Sequence, residues 1–302
     1  MEKIFEQLHS ALSAACPELE LRVDEPMARH ISFRVGGPAA LMALPVTVEQ
    51  AQLCVRTAVS LGVEPFFLGN GSNLLVPDEG VERFVIKLAG DFNQVREVNG
   101  QLEAGGAVTL ARLAMAALDR GLTGLEFAHG IPGTVGGAVT MNAGAYGGEM
   151  AQVVTEVTCM DAEGTVETVT QFDFAYRHSA FSDGKRLILS ARFRLEQGDR
   201  EVIRERMNDL SQQRQSKQPL EYPSAGSMFK RPVGYFAAAL IDQCGLKGFT
   251  VGGAQVSEKH AGFVVNRGGA TCADILELVA QVQQRVKAAT GVDLEMEVKI
   301  LR

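Results

Sequence analysis

The spacing of apolar residues changes several times along the chain, and each change predicts an element. Ile4, Phe5, Leu8 and Leu12 fall at helical spacing until Pro17 stops the run. Thr47 and Gln50 form a capping-box pair ahead of a second helix reaching about Leu61. Short apolar runs then predict strands at PFFLG, at RFVIKL around Val85, and at VREV and QLEAGG, the last two joined by an Asn99-Gly100 turn. Thr109 is placed to cap a helix through Leu110, Leu113, Ala117 and Leu118, ended by Gly121.

After residue 150, VVTEVTCMDAEGTVETVT predicts a hairpin turning at Glu163-Gly164, and RLILSARFRLE alternates as a strand. Asp199 opens a polar helix with Ile203, Met207 and Leu210 inward, stopped before Pro219. The main domain boundary is expected at this helix. The last third predicts a helix around Phe236 to Cys244 with Gly245 as its C-cap, a strand at AGFVVN, a long helix from Thr271 to Ala289, and LEMEVKIL as a closing strand. Helices and strands alternate irregularly and no repeat is visible, so the pattern predicts an α+β fold rather than a doubly wound sheet.

One segment interrupts this patterning. Between Gly121 and Gly148 nine of twenty-eight residues are glycine, far above the roughly 7% of average proteins. Leu125, Phe127, Ile131, Val135, Val139 and Met141 thread through the run, so it is an ordered segment. Glycine permits positive φ and close backbone approach, which lets main-chain N–H groups crowd around an anion such as a pyrophosphate. Two more glycine stretches precede it, FRVGGPA at 33–39 and FLGNGSNLLV at 67–76, where Ser72 and Asn73 add side-chain donors. None fits G-x-G-x-x-G between a strand and a helix, and no G-K-[ST] follows, so neither a Rossmann fingerprint nor a P-loop is present.

Composition narrows the function. A formal net charge of −7 argues against a nucleic-acid partner. No stretch approaches the roughly 18 apolar residues of a membrane span. The N-terminal segment carries Glu2, Glu6 and Glu18 and has no apolar signal-peptide core, so a cytoplasmic location and no membrane association are expected. Cys16, Cys54, Cys159, Cys244 and Cys272 show no C-x-x-C spacing and are expected to be buried, reduced thiols. The five histidines form no H-x-x-H or H-E-x-x-H pattern, so no metal site is expected. Nothing marks an obligate protein partner.

Read together, LGNGSNLLV, GIPGTVGGAVTMNAGAYGGE, YRHSAFS, PSAGSMFKRP and the terminal LEMEVKI resemble a known family, in its order, from about residue 30 to the C-terminus. It is that of the UDP-N-acetylenolpyruvoylglucosamine reductases, also called UDP-N-acetylmuramate dehydrogenases, of peptidoglycan precursor synthesis. The resemblance implies a vanillyl-alcohol-oxidase-type FAD-binding region at 1–198, in two α+β lobes at about 1–75 and 76–198. A C-terminal α+β substrate-binding domain at 199–302 would follow, its last strand returning to the flavin site. It further implies non-covalent FAD, NADPH as hydride donor, and a UDP-sugar substrate whose enolpyruvyl ether is reduced to a lactyl ether. His129 lies beside the flavin loops, but nothing matches a covalent attachment pattern.

The family assigns the flavin loops to Gly69, Asn70, Gly71, Ser72 and Asn73, and to Gly130, Ile131, Pro132, Gly133, Thr134, Gly136, Gly137, Asn142 and Gly144. By the same resemblance Arg177 and Glu297, the latter in its acid form, stabilise an enolate while Ser227 supplies the proton. The chemistry asks for such groups: charge developing beside a carboxylate needs preorganised donors, and the α-carbon needs a general acid. Each residue alone also fits a plainer role, as a surface ion-pair partner, a turn residue and a strand carboxylate. Arg214, Lys217 and Arg231 are candidate diphosphate cations; Tyr146 is either a ring at the flavin–substrate junction or a packed tyrosine. Met296 stands where the family usually has proline, and Ser32 where it usually has threonine. No insertion after YRHSAF resembles the tyrosine-bearing substrate loop of the longer form, which points to the shorter form. The alternatives are another FAD-dependent oxidase or dehydrogenase of the same superfamily, and a non-catalytic flavin-binding module.

Overall fold

The computed structural model describes residues 3–302. The chain divides into two compact units, each assembled from three stretches. The first comprises the chain up to Asp24, Ala40–Asn70 and Arg83–Gln213; the second comprises Glu25–Ala39, Gly71–Glu82 and Arg214–Arg302. This division differs from a cut at 198/199: two early stretches belong with the C-terminal third, and most of the Asp199 helix belongs with the first unit.

The first unit opens with helix α1 (Lys3–Ala15), whose Phe5, Leu8 and Leu12 are buried as their spacing predicts. It packs against α2 (Val48–Ser60). The α2 cap is a variant of the expected box. Thr47 Oγ1 accepts the Gln50 N–H at 3.3 Å, but Gln50 Oε1 accepts the N–H of Val46 at 2.8 Å, one residue ahead of the cap. Both helices share a core with a four-stranded sheet ordered Glu20–Pro26, Pro38–Leu44, Val81–Ile86, Pro65–Phe67, the last pair parallel.

A second, antiparallel sheet runs in the order Val166–Val169, Val154–Met160, Leu187–Phe193, Gln101–Gly105, Val95–Val98. Asn99 (φ 51) and Gly100 (φ 74) make the turn between its last two strands, the paired positive φ that favours Asn-Gly. Helices α3 (Leu110–Asp119), capped by Thr109, and α4 (Val135–Thr140), capped by Thr134, share its core. Helix α5 (Arg200–Lys217) adds Ile203 and Met207 to that core. Asp199 Oδ1 starts it by accepting the N–H groups of Glu201 and Val202.

The second unit holds α6 (Ala237–Gln243), a meander of Thr250–Val251, Ala254–Val256 and Val264–Asn266, and α7 (Cys272–Thr290) packed on α6 and the first two strands. Thr271 and Asp274 form a complete capping box at the start of α7, and Gly291 (φ 75) ends it. The closing segment is not one strand. Met296 forms an isolated bridge with Phe229, and only Lys299–Ile300 pair, in parallel, with Leu74–Leu75. Among the described residues no helix is long and apolar enough to cross a membrane.

Candidate active site

In the first unit Gly69, at the start of one expected anion loop, lies against Thr134 of the other. A Cβ added to Gly69 would lie 2.7 Å from Thr134 Oγ1, so only glycine fits there without displacement. The Gly130–Thr134 loop is fastened at its flanks: Leu110 N–H donates to Gly133 O at 3.0 Å, Val135 N–H to Val108 O at 2.8 Å and Gly136 N–H to Gly106 O at 2.9 Å. Between these points, among the described residues, the N–H groups of Gly130, Gly133 and Thr134 have no protein acceptor, and neither do those from Gly69 to Asn73. Unspent main-chain donors ahead of a helix N-terminus fit a phosphate-bearing ligand. Gly136 and Gly144 serve differently: Gly136 spends its N–H on Gly106, and Gly144 packs against Gly148 and Glu149.

Asn142 is buried, its Nδ2 donating to Ala175 O at 3.1 Å and its Oδ1 accepting the Ala151 N–H at 3.0 Å. Its amide therefore braces the loop that bears Arg177. Ala175 and His178 exchange both backbone hydrogen bonds at 3.1 Å, leaving Tyr176 and Arg177 as the two turn residues. Arg177 sits at φ 56, where turns usually place glycine or asparagine. Its guanidinium carbon lies 5.2 Å from the centroid of the Tyr176 ring. Ser179 and Ser182 both donate from their hydroxyls to Thr140 O, at 2.8 and 3.1 Å, tying this loop to the end of α4.

In the second unit Ser227 and Glu297 are brought onto neighbouring backbone segments. Ser227 bridges Phe263, and the next residue, Met228, joins both sides: its N–H donates to Gly262 O at 2.8 Å and its carbonyl accepts the Glu297 N–H at 2.9 Å. Ser227 is exposed and follows Gly226 at φ 77. Asn73 Nδ2 donates to Glu297 O at 3.2 Å, so a residue of the expected flavin turn touches the segment carrying the expected acid. A Cβ on Gly71 (φ 56) would strike His30 O at 2.7 Å, fixing that turn close to residues 30–31. Ser32 Oγ donates to Ser224 O at 2.6 Å, three residues ahead of Ser227. That bond needs a hydroxyl, which serine and threonine alike would supply.

Lys217 and Arg231 are exposed and Arg214 is half-buried at the end of α5. Arg231 stacks 4.1 Å over the exposed Phe236 ring, a cation–π arrangement that holds the guanidinium at the surface. Tyr146 is 39% exposed at φ 54, so it is not a packed core ring. All five cysteines are free thiols; four are buried as expected, while Cys244 is half-buried. Burial pushes Cys54 up to about 12 and Cys159 and Cys272 up to about 11, which suppresses thiolate chemistry. Asp78 escaped notice in the sequence. Its carboxylate accepts the N–H groups of Cys272 at 2.7 Å and Ala273 at 3.0 Å, anchoring the stretch after the glycine turn to the start of α7. Its only sequence signal is a carboxylate in PDEG, which looks like an ordinary turn.

Residues 39–170 match a family model described as an FAD binding domain, and residues 218–301 match the C-terminal domain of UDP-N-acetylenolpyruvoylglucosamine reductase. A UDP-N-acetylenolpyruvoylglucosamine reductase from Syntrophomonas wolfei is 43% identical over 296 residues, 97% of this chain and 99% of its own length. The chain belongs to the UDP-N-acetylenolpyruvoylglucosamine reductase family. A reductase of that name from Clostridioides difficile is 47% identical over 284 residues, 93% of each chain. The crystal structure of the Thermus caldophilus reductase superposes with a TM-score of 0.81 at 36% identity, covering 94% of this chain and 99% of the other. In this member of the reductase family, the stretch between the two matched regions holds the Arg177 turn and α5.

Proposed function

We propose that this chain reduces the enolpyruvyl ether of a UDP-N-acetylglucosamine substrate to the lactyl ether of UDP-N-acetylmuramate, a step of peptidoglycan precursor synthesis. Family membership over 97% of the chain supports the reaction. The observation that carries the assignment of roles is the Met228 junction, which puts Ser227 and Glu297 on paired segments. FAD, held without a covalent link and reduced by NADPH, would be the source of hydride for the terminal methylene carbon of the substrate. The unspent N–H groups of Gly69–Asn73 and of Gly130, Gly133 and Thr134 suit its diphosphate.

The chain's own groups then handle the charge. Negative charge develops on the carbon beside the substrate carboxylate, giving an enolate on a group that is already anionic. Arg177 supplies a fixed cation to that carboxylate, and Glu297, when it carries a proton, donates a hydrogen bond to it. Ser227 Oγ–H transfers its proton to the α-carbon, and the serine oxygen regains a proton from solvent. A hydroxyl is a weak acid, but an enolate carbon is a strong enough base to take its proton. Arg214, Lys217 and Arg231 are proposed to serve the UDP diphosphate, and Tyr146 to border the junction of flavin and substrate. Residues 1–198 and 199–302 are proposed to serve mainly flavin and substrate, with the closing segment shared.

Stopped-flow spectroscopy separates the half-reactions. Ser227→Ala leaves flavin reduction by NADPH at its normal rate and slows reoxidation by substrate by about 10²- to 10⁴-fold, the usual span for a lost general acid. Equal slowing of both half-reactions would remove Ser227 from the donor role.

A further inference from the structure

The segment paired with Ser227 is itself organised by an imidazole. His260 Nδ1 accepts the Gly262 N–H at 3.2 Å, and Gly262 O in turn accepts the Met228 N–H at 2.8 Å. The turn is closed by Phe263 N–H donating to His260 O and Ser257 N–H donating to Phe263 O, both at 2.9 Å. Buried Ser257 Oγ accepts the N–H groups of Lys259 at 3.1 Å and His260 at 3.2 Å. The ring stands edge-on to Phe263, with centroids 4.9 Å apart and planes at 73°. Gly262 is matched to it: a Cβ there would lie 3.1 Å from the imidazole carbon and 3.3 Å from Ala238 Cβ.

We propose that His260 is a positioning residue for Ser227, its neutral ring clamping Gly262 and hence the backbone that presents the hydroxyl. Protonation releases the clamp, because an imidazolium donates from both nitrogens and accepts at neither. The proposal rests on Ser227 being the proton donor. Burial lowers the His260 pKa, a hydrogen bond at its own backbone opposes this, and the Lys247 charge lowers it further. The clamp therefore stays closed at neutral pH and opens only below the ordinary histidine range of about 6.5. Lys247, which acts on the ring, is paired with Asp242 of α6, and Glu258 and Lys259 precede His260 on its own turn. Lys259 is engaged by Gln215 O and Glu221.

The test uses the FAD-loaded protein and two readouts, backbone amide exchange at Gly262 and Met228 and the stopped-flow half-reactions. Acidification is expected to lower the protection factors of both amides in the wild type, with the intrinsic exchange rate at each pH divided out, and to slow the substrate half-reaction. His260→Asn keeps an acceptor without a titrating group, and both acid effects disappear. His260→Phe keeps the ring packing without an acceptor. It exposes both amides at every pH and slows the substrate half-reaction about tenfold or more, a modest cost for a displaced reacting group, while flavin reduction by NADPH is unchanged. Gly262→Ala, which crowds the ring at an unstrained φ, is expected to reproduce that split without altering His260. The proposal is overturned if those protection factors in the wild type ignore acid, or if His260→Phe matches the wild type. If exchange responds as expected and the substrate half-reaction does not, the clamp stands and the donor role of Ser227 fails.

Discussion

Arg177 occupies a backbone position that most side chains avoid. At φ 56, in a two-residue turn fastened by Asn142, Ser179 and Ser182, it holds a conformation costing about 1–2 kcal/mol for a residue with a Cβ. Glycine would relieve that cost and asparagine would tolerate it, but neither carries a cation. Under the proposed reaction, a strained arginine at a buttressed turn would give the substrate carboxylate a fixed charge. Arg177→Gly is therefore expected to match or exceed the wild type in thermal stability while raising the KM for the UDP-sugar and slowing the substrate half-reaction. Arg177→Ala loses the same activity without the gain in stability. Melting curves beside steady-state kinetics check this, and equal melting temperatures for the two variants would show that the turn stores no strain.

At the scale of elements, helix ends carry much of the local logic. The Asp274 carboxyl is held below the usual carboxylate range, chiefly by the N–H of Thr271 and then by that of Gly253. A carboxyl whose folded pKa is depressed adds stability above its unfolded value, about 3.9, and loses it as pH falls toward the folded value. Asp274→Asn should therefore flatten the acid-side decline of stability below about pH 4 and leave the slope near neutrality alone, as read by denaturant unfolding across pH. Such ends were legible in advance because caps and turns are local chemistry. Thr109, Thr271, Asn99-Gly100 and Asp199 each announce themselves within four residues. LEMEVKIL was misleading for the converse reason. Its alternation suggests one strand, but Glu295–Glu297 engage residues 228–230 while Lys299–Ile300 pair elsewhere. Single-residue bridges leave no periodic trace. Asn142 and Asp78 were legible only as a motif member and a turn residue, since their partners lie 9 to 195 positions away.

For the whole molecule, each compact unit is discontinuous in sequence, so no single cut separates them. A fragment of residues 1–198 lacks Ile203 and Met207, which complete the core of the second sheet. A fragment of 199–302 lacks Glu25–Ala39 and Gly71–Glu82 of its own unit, including the Leu74–Leu75 partner of the closing strand. Neither fragment is expected to give a cooperative unfolding transition alone, and circular dichroism melts of the two will decide. Local pattern gives no sign of the exchange of early stretches, because burial of 25–39 and 71–82 with the C-terminal third is a long-range choice.

The Met228 junction has one more outcome. Because a single residue is fastened to Gly262 on one side and Glu297 on the other, the final half-dozen residues act as a keystone rather than a tail. Trimming the chain ahead of Glu297 would remove that carboxylate, unpin the serine, and free Asn73 and the Leu74–Leu75 edge as well. Fusions at this terminus need a spacer that leaves Lys299 and Ile300 seated.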